Sequence, residues 1–379
     1  DRLVTVVGID VDASTWRGKA FRAMHVPLLA TTALLLLLAT GLRLISRRNA
    51  QPDRFRRRGW RHLEAILAAA CGLVLTLTAT WITRLVETTH AREAFGAMAQ
   101  IRSERILDSF LSLRNSELEG LARFIEGSET VTSHEFKRYA HHLIRVPEVM
   151  AWAWVPAVEA AQRTEFEQSV REAGWPAPEY PIWDADAAGQ PALAAERPCH
   201  YPIYHVVSAG ALSKYGITPG RDLAAIPPIR ETIETAATTG LITATAVLPS
   251  LPGAAGQRNQ ILVFRPVRKI PLHGQPAGFA MAAVDPQLFL RCFLGENPAE
   301  NMQVALDLLS LRPGDPPRRI AAIAPPDFNG TPPARLTDDW TISRPILAFG
   351  RVYAVAVRPT SQFLAYHSFH LGWLVLLAG

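Results

Sequence analysis

Cys199, His200 and His205 are the residues whose types first suggest metal chemistry, and their spacing argues against it. On a strand, side chains alternate between faces, so two histidines five positions apart point away from each other. His141 and His142 are adjacent on a helical stretch and also diverge. Asp184 and Asp186 share a strand face, but a carboxylate pair by itself is common and specifies no acid–base chemistry. The chain has no Gly-rich phosphate loop, no G-x-S-x-G turn and no H-E-x-x-H motif. No catalytic module, metal site or cofactor is expected in it.

The elements that would position any site begin with two apolar stretches. Residues 26–42 are almost wholly apolar, and residues 63–83 are apolar apart from Glu64. Each is close to the roughly 20 residues that a helix needs to cross the hydrocarbon of a bilayer. Between them lie Arg43, Arg47, Arg48, Arg54, Arg56, Arg57, Arg58 and Arg61, opposed only by Asp53. Short loops rich in Arg stay on the cytoplasmic side. The reading is transmembrane helix 1 over 26–45, an Arg-rich cytoplasmic loop over 46–62 and transmembrane helix 2 over 63–83. Residues from about Arg84 onward then lie outside, in the periplasm or extracellular space of a bacterial inner membrane. The loop carries a net charge of +7 in a chain whose net charge is only +5, so the remainder is slightly acidic. A nucleic-acid partner is therefore excluded, and the lipid bilayer is the expected partner of the cationic loop.

Residues 1–25 read as the C-terminal tail of a preceding exported domain. Residues 364–379 read as the truncated start of transmembrane helix 3. Cys71 is a packing residue in an apolar helix, whereas Cys199 and Cys292 fall in the exported region, where lone thiols are expected.

Residues 84–127 contain no proline, and Phe95, Met98, Ile101, Ile106, Phe110, Leu113, Leu118, Leu121 and Ile125 recur at helical spacing. They predict one long stalk helix rising from the membrane, of the kind that pairs with a second copy in a homodimer. Thr132-x-x-Glu135 is a capping box opening a helix over 133–145. Residues 150–156 alternate as a half-buried strand, 158–173 read as an amphipathic helix, and 200–207 as a strand. Pro227 and Pro228 suit the first turn of a helix that stops at Gly240. Strands follow over 241–248, 260–267 and 278–285, then a short helix over 286–293. Three more strands lie between 302 and 358. The fold class is α+β: a long stalk helix, two lobes of antiparallel sheet with flanking helices, and transmembrane helices. The lobes are bounded at 128–300, membrane-distal, and 301–362, membrane-proximal.

A resemblance sharpens this reading. Phe136, Arg138-Tyr139, Pro147, Trp154-Val155-Pro156-x-Val158 and Arg163-x2-Phe166-Glu167 resemble the opening of the CHASE domain, the cyclase/histidine-kinase-associated sensory extracellular domain. Pro202-Ile203, then Asp222, Arg230, Ala237 and Thr239-Gly240, then Leu262-Val263-Phe264-Arg265-Pro266-Val267 resemble its later blocks, with Arg268 where Tyr is usual. The resemblance spans roughly residues 84–358. It implies PAS-like lobes, an unknown small-molecule ligand in the distal one, and a missing cytoplasmic output domain, a histidine kinase or a diguanylate cyclase.

In plant hormone receptors of the family, an Asp at the position of Asp222 hydrogen-bonds an adenine-type cytokinin. The resemblance therefore makes Asp222 a ligand contact. A Thr contact of those receptors is replaced here by Phe264, which exchanges a hydroxyl for a ring and implies a more apolar or aromatic ligand. Leu248, Leu251 and Tyr204 complete the expected apolar wall. The alternative is an exported ectodomain that grips a partner protein or dimerises without a small ligand.

Overall fold

The structure, a computed structural model, describes residues 13–50, 62–146, 148–172, 182–186, 189–208, 210, 216–252, 254, 258–269, 275–292, 303–312, 314–325, 328 and 340–367. The expectations for residues 1–12, for most of the Arg-rich loop and for residues 368–379 lie outside these.

The chain divides into two compact units, residues 1–94 with 365–379, and residues 95–364. In the first, α1 (Ala13–Ala50) and the start of α2 (Leu63–Ser112) form two apolar helices. Their most apolar windows are only 6% buried, and Leu29 and Leu35 are 65% and 68% exposed. These leucines are therefore not the core of a water-soluble domain, where such residues would be covered. Threonine hydroxyls along both helices donate to carbonyls one turn back: Thr40 to Leu36 (2.6 Å), Thr78 to Val74 (2.7 Å) and Thr80 to Thr76 (2.8 Å). That satisfies each hydroxyl without water. The two helices approach at Gly41, where a Cβ would stand 3.0 Å from Leu67 Cδ1. A small residue at that point lets the backbones come close.

In the second unit the helical path continues from α2 through a π-helical turn, Leu113–Leu118, into α3 (Glu119–Glu126). The π turn follows from the spacing of buried residues. Ile106, Phe110 and Leu113 step by four and three, but the next buried residue is Leu118, five on, before Leu121 and Ile125. A regular α-helix would swing Leu118 off the buried face, and one wider turn restores it. From Phe95 onward this face is core. The stalk reading is corrected in that respect: the helix is not free-standing here, because the sheets bury its apolar stripe. Ile101, expected in the stripe, is 53% exposed.

A capping box at Thr132 and Glu135 starts α4 (Ser133–Ala140). Then β1 (Val149–Pro156), β2 (Val158–Glu159) and α5 (Arg163–Glu172) follow. The expected helix over 158–173 thus begins five residues late, directly after a short strand and a 3₁₀ turn. Short strands β3 (Trp183–Ala185), β4 (Pro191–Leu193) and β5 (Cys199–His200) lead to β6 (His205–Ser208). The single strand expected over 200–207 is broken where Pro202 and Ile203 pair instead with the Arg221–Asp222 segment.

Next come α6 (Pro227–Thr239), ended by Gly240 at φ 69°, and β7 (Thr243–Ala244), β8 (Ile261–Val267) and β9 (Gly278–Val284). Then α7 (Pro286–Arg291) is capped by Asp285. Strands β6-β1-β9-β8-β7 form one antiparallel sheet. Its two faces are both covered. Trp152, Trp154, Val263 and Ala280 meet the α2–α3 helix, whereas Ala153, Val155, Leu262 and Phe264 meet α6. β1 is therefore buried on both faces, not half-buried as its alternation predicts.

The remaining strands, β10 (Val304–Leu311), β11 (Arg318–Ile323), β12 (Ile342–Ala348) and β13 (Arg351–Pro359), form a second antiparallel sheet in the order β11-β10-β13-β12, and α8 (Ser361–His367) follows. The β12–β13 turn uses Phe349 at φ 52° and Gly350 at φ 71°. A left-handed Phe is costly, and its ring, buried 5.9 Å from that of Phe110, offsets the cost. Phe110 also lies 4.3 Å from Phe289 and 5.7 Å from Tyr353, so one aromatic group joins α2, α7 and the second sheet. Both sheets share this core.

Candidate ligand-binding site

Asp222 follows a tight turn in which Gly216 and Gly220 take φ values of 70° and 81°. A Cβ on Gly216 would come within 2.9 Å of Arg221 Nη1 and of Leu251 Cβ, so the turn needs glycine there. The chain then runs antiparallel to residues 201–203: Ile203 N donates to Arg221 O (3.0 Å) and Leu223 N to Tyr201 O (3.0 Å). Asp222 caps the 3₁₀ turn Leu223–Ala225.

The Asp222 carboxylate is fully buried, and both oxygens are engaged. Oδ1 accepts from Tyr201 N (2.9 Å) and Ala224 N (3.0 Å). Oδ2 lies 2.7 Å from His200 Nδ1 and accepts from Arg197 Nη1 (3.1 Å). Arg197 Nη2 reaches on to Asp184 Oδ2 at 2.8 Å. Burial works against a charge on Asp222, but the hydrogen bonds from His200 and from the Tyr201 and Ala224 amides outweigh it and hold the carboxyl below its ordinary value. A carboxylate offers about four acceptor positions, and these four contacts use them. In this arrangement Asp222 is a frame residue joining β5, the 201–203 segment and the turn before α6.

Arg221 completes the frame. Its Nη1 donates to Gly216 O (2.9 Å) and Pro252 O (2.8 Å), and the guanidinium lies 5.5 Å from the Trp183 ring. Burial lowers its pKa to about 10, with the Asp184 charge opposing, so it stays cationic at neutral pH. Burial also raises the Tyr201 phenol well above its ordinary value.

Phe264, Leu248 and Leu251 share the apolar cluster beneath α6, with Ile203, Leu223, Phe279 and Met281. The Phe264 ring meets Phe279 edge-on at 6.2 Å, and Tyr201 meets Phe279 at 5.8 Å. The structure therefore brings Phe264, Leu248 and Leu251 together, with Asp222 beside Leu223 at the margin. Tyr204 goes elsewhere. It packs on the other cluster, 5.6 Å from the Phe166 ring and 4.1 Å from His205, so it leaves the wall it is expected to join. Three clefts among the described residues, of about 350, 650 and 670 Å³, are lined by other side chains.

His200 and His205 do diverge. His200 bonds Asp222, while His205 Nε2 lies 2.7 Å from Val131 O. Among the described residues no group of three or more His, Cys, Asp or Glu side chains is placed to hold a metal ion. Cys71, Cys199 and Cys292 are free thiols. Sequence reasoning missed Arg197 and Arg221 as parts of the frame. Their only local signal is the Gly220-Arg221-Asp222 run, since both make their contacts across long stretches of chain.

Residues 129–318, half of the chain, match the profile of the CHASE domain. The chain belongs to the CHASE domain family. The CHASE region contains all five candidate residues and runs from the turn before α4 to the first residue of β11. The match makes this a sensory domain in a signal-transduction setting, in a chain that also carries two helices long and apolar enough to cross a membrane. No curated protein matches the chain. Among solved structures, the ligand-binding domain of the Pseudomonas aeruginosa PAO1 amino acid chemoreceptor PctC, in complex with GABA, is 14% identical, with a TM-score of 0.36 over 69% of this chain and 99% of that one. The periplasmic sensory domain of the Campylobacter jejuni chemoreceptor Tlp1 is 8% identical, with a TM-score of 0.43 over 73% and 98%.

Proposed function

We propose that this chain is the extracytoplasmic sensor and membrane-spanning part of a multi-pass receptor. In this reading α1 and the start of α2 cross the bilayer, the Arg-rich loop between them faces the cytoplasm, and the CHASE region stands outside. A third span beginning near Leu364 returns the chain to a cytoplasmic output domain, a histidine kinase or a diguanylate cyclase.

The ligand is a small, largely apolar or aromatic molecule. It binds in the membrane-distal, PAS-like lobe, against Phe264, Leu248 and Leu251, with the Asp222–Arg197–His200 frame fixing the wall behind it. Two copies pair along the outward face of α2, where Ile101 and Leu111 are exposed. A ligand shifts that pairing only if it binds one arrangement better than the other.

The observation that carries this reading is the CHASE match across the candidate residues in a chain with two outward-facing leucine helices. Its test is a thermal-shift screen of purines, amino acids and aromatic acids on the full chain in nanodiscs. A ligand at 100 times its dissociation constant adds about 2.7 kcal/mol of stability. Phe264→Ser and Leu248→Ser should weaken that shift. A ligand whose shift both variants leave unchanged does not occupy this wall.

One observation favours the second reading, a partner-binding or dimerising ectodomain without a small ligand. The Asp222 carboxylate has all its acceptor positions filled from within the domain. A partner-binding domain would show no saturable shift with any small molecule and a dimer that persists without one.

A further inference from the structure

The inner face of β10 changes character along its length. Leu306 and Leu308 belong to the shared core, but the next positions on that alternation are Ser310 and Arg312. The cross-strand neighbour of Ser310 on β11 is Arg318. A sheet face that continues a core is normally apolar, and here it becomes cationic where the core ends. Opposite it stands the segment following β7, with Ala246 and Val247. Between the two is a cleft of about 350 Å³, lined among others by Val247, Ser310, Arg312, Asp315, Arg318 and Ile320. That volume is within the range of small-molecule sites.

The two guanidiniums differ from their neighbours. Arg319 and Arg358, on the other side of the sheet, are tied to the buried Asp307 at 2.9 and 2.6 Å. Neither Arg312 nor Arg318 forms an ion pair among the described residues. A third cation, Arg351, donates to Ala244 O at 2.6 Å from the adjoining hairpin tip. Burial first, then the nearby Arg312 charge, lower its pKa against the opposing influence of Tyr353. Arg351 lies outside the cleft lining, in which Arg312 and Arg318 against Asp315 leave a single net positive charge, and that suits a monoanion better than a dianion.

We propose that this cleft binds a small organic monoanion, a carboxylate on an apolar body. The carboxylate sits between Arg312 and Arg318, whose planar forks match its geometry. The body rests on Val247 and Ile320. Such a ligand touches both sheets at once, so it stiffens the joint between the β7 side of the first sheet and the β10–β11 hairpin of the second. The site is separate from the Phe264 wall.

The test uses the full chain in nanodiscs at constant ionic strength, with phenylacetate as probe. The expected result is a saturable rise in melting temperature, with an apparent affinity at least tenfold weaker in Arg312→Gln and in Arg318→Gln. Ala246→Trp, which fills the cleft, should abolish it. 2-Phenylethylamine should give no shift, and inorganic phosphate a smaller one. Circular dichroism of the variants without ligand checks that they fold. An undiminished shift in a variant carrying both Arg312→Gln and Arg318→Gln overturns the proposal. So does an equal shift with the amine or with phosphate, or no shift up to the solubility limit. A shift lost in Phe264→Ser but kept in the double arginine variant also overturns it, placing the probe in the distal lobe.

Discussion

Removing the Asp222 carboxylate is the sharpest perturbation of the frame. In Asp222→Ala the Tyr201 amide, the Ala224 amide and His200 Nδ1 all lose their acceptor, while Arg197 keeps Asp184. Asp222 is fully buried and His200 is 1% exposed, so solvent replaces little of what is lost. A stranded buried donor costs about 1–3 kcal/mol. Three such donors give a gross loss of about 3–9 kcal/mol, which local relaxation reduces to an expected ~3–5 kcal/mol, the usual range for breaking a buried charged cluster. Asp222→Asn keeps one oxygen for the two amides and should lose about half as much. The assay is urea unfolding followed by circular dichroism, at several pH values. The folded carboxyl lies below its ordinary value. Its contribution is therefore present above about pH 3.9 and lost as pH falls through the folded value. Asp222→Asn should flatten that acid limb. An Asp222→Ala protein within about 1 kcal/mol of the parent, or an unchanged acid limb in Asp222→Asn, would refute the frame assignment.

Three other outcomes follow from particular contacts. Burial lowers the pKa of His205, so its contribution to stability is present above about pH 6.5 and is lost as pH falls below it. His205→Gln should give a shallower fall in melting temperature over that window. Deleting Ser116 converts the π turn to a regular helical turn and should leave the melting temperature within a few degrees of the parent. Deleting Asp108 instead rotates all later core positions away from Phe95 and should unfold the domain, so equal effects of the two deletions would contradict the phase argument. Gly278→Ala places a Cβ 2.4 Å from Val155 O and 2.7 Å from Pro156 Cα, and should cost about 3 kcal/mol or more in chemical unfolding.

Local signals were legible where local chemistry decides the element. Thr132 with Glu135, Pro227 with Gly240, and the apolar runs that became β8 and β9 all mark their structures from within a few residues. What failed depended on distant neighbours. β1 alternates, but helices cover both faces of its sheet, so the alternation does not separate core from solvent. The strand expected over 200–207 breaks because Asp222 and Arg221 pair with Pro202 and Ile203. That break also turns Tyr204 away from the α6 side. Residues 318–323 open with two arginines and give too little apolar pattern to show as a strand, yet pairing with β10 makes them one. Asp222 stands out in a family block, but its carboxylate partners Arg197 and His200 lie 25 and 22 positions away, and nothing in their spacing predicts that they share an oxygen.

Cys292 is exposed in the sensory unit, and Cys71 lies in the second apolar helix. In a Cys71→Ala, Cys199→Ala background it becomes the single thiol, and a membrane-impermeant maleimide reports its side of the membrane. Labelling of Cys292 in intact spheroplasts is the result expected of an extracytoplasmic sensor. Labelling that appears only after lysis would place the CHASE region in the cytoplasm and contradict the account.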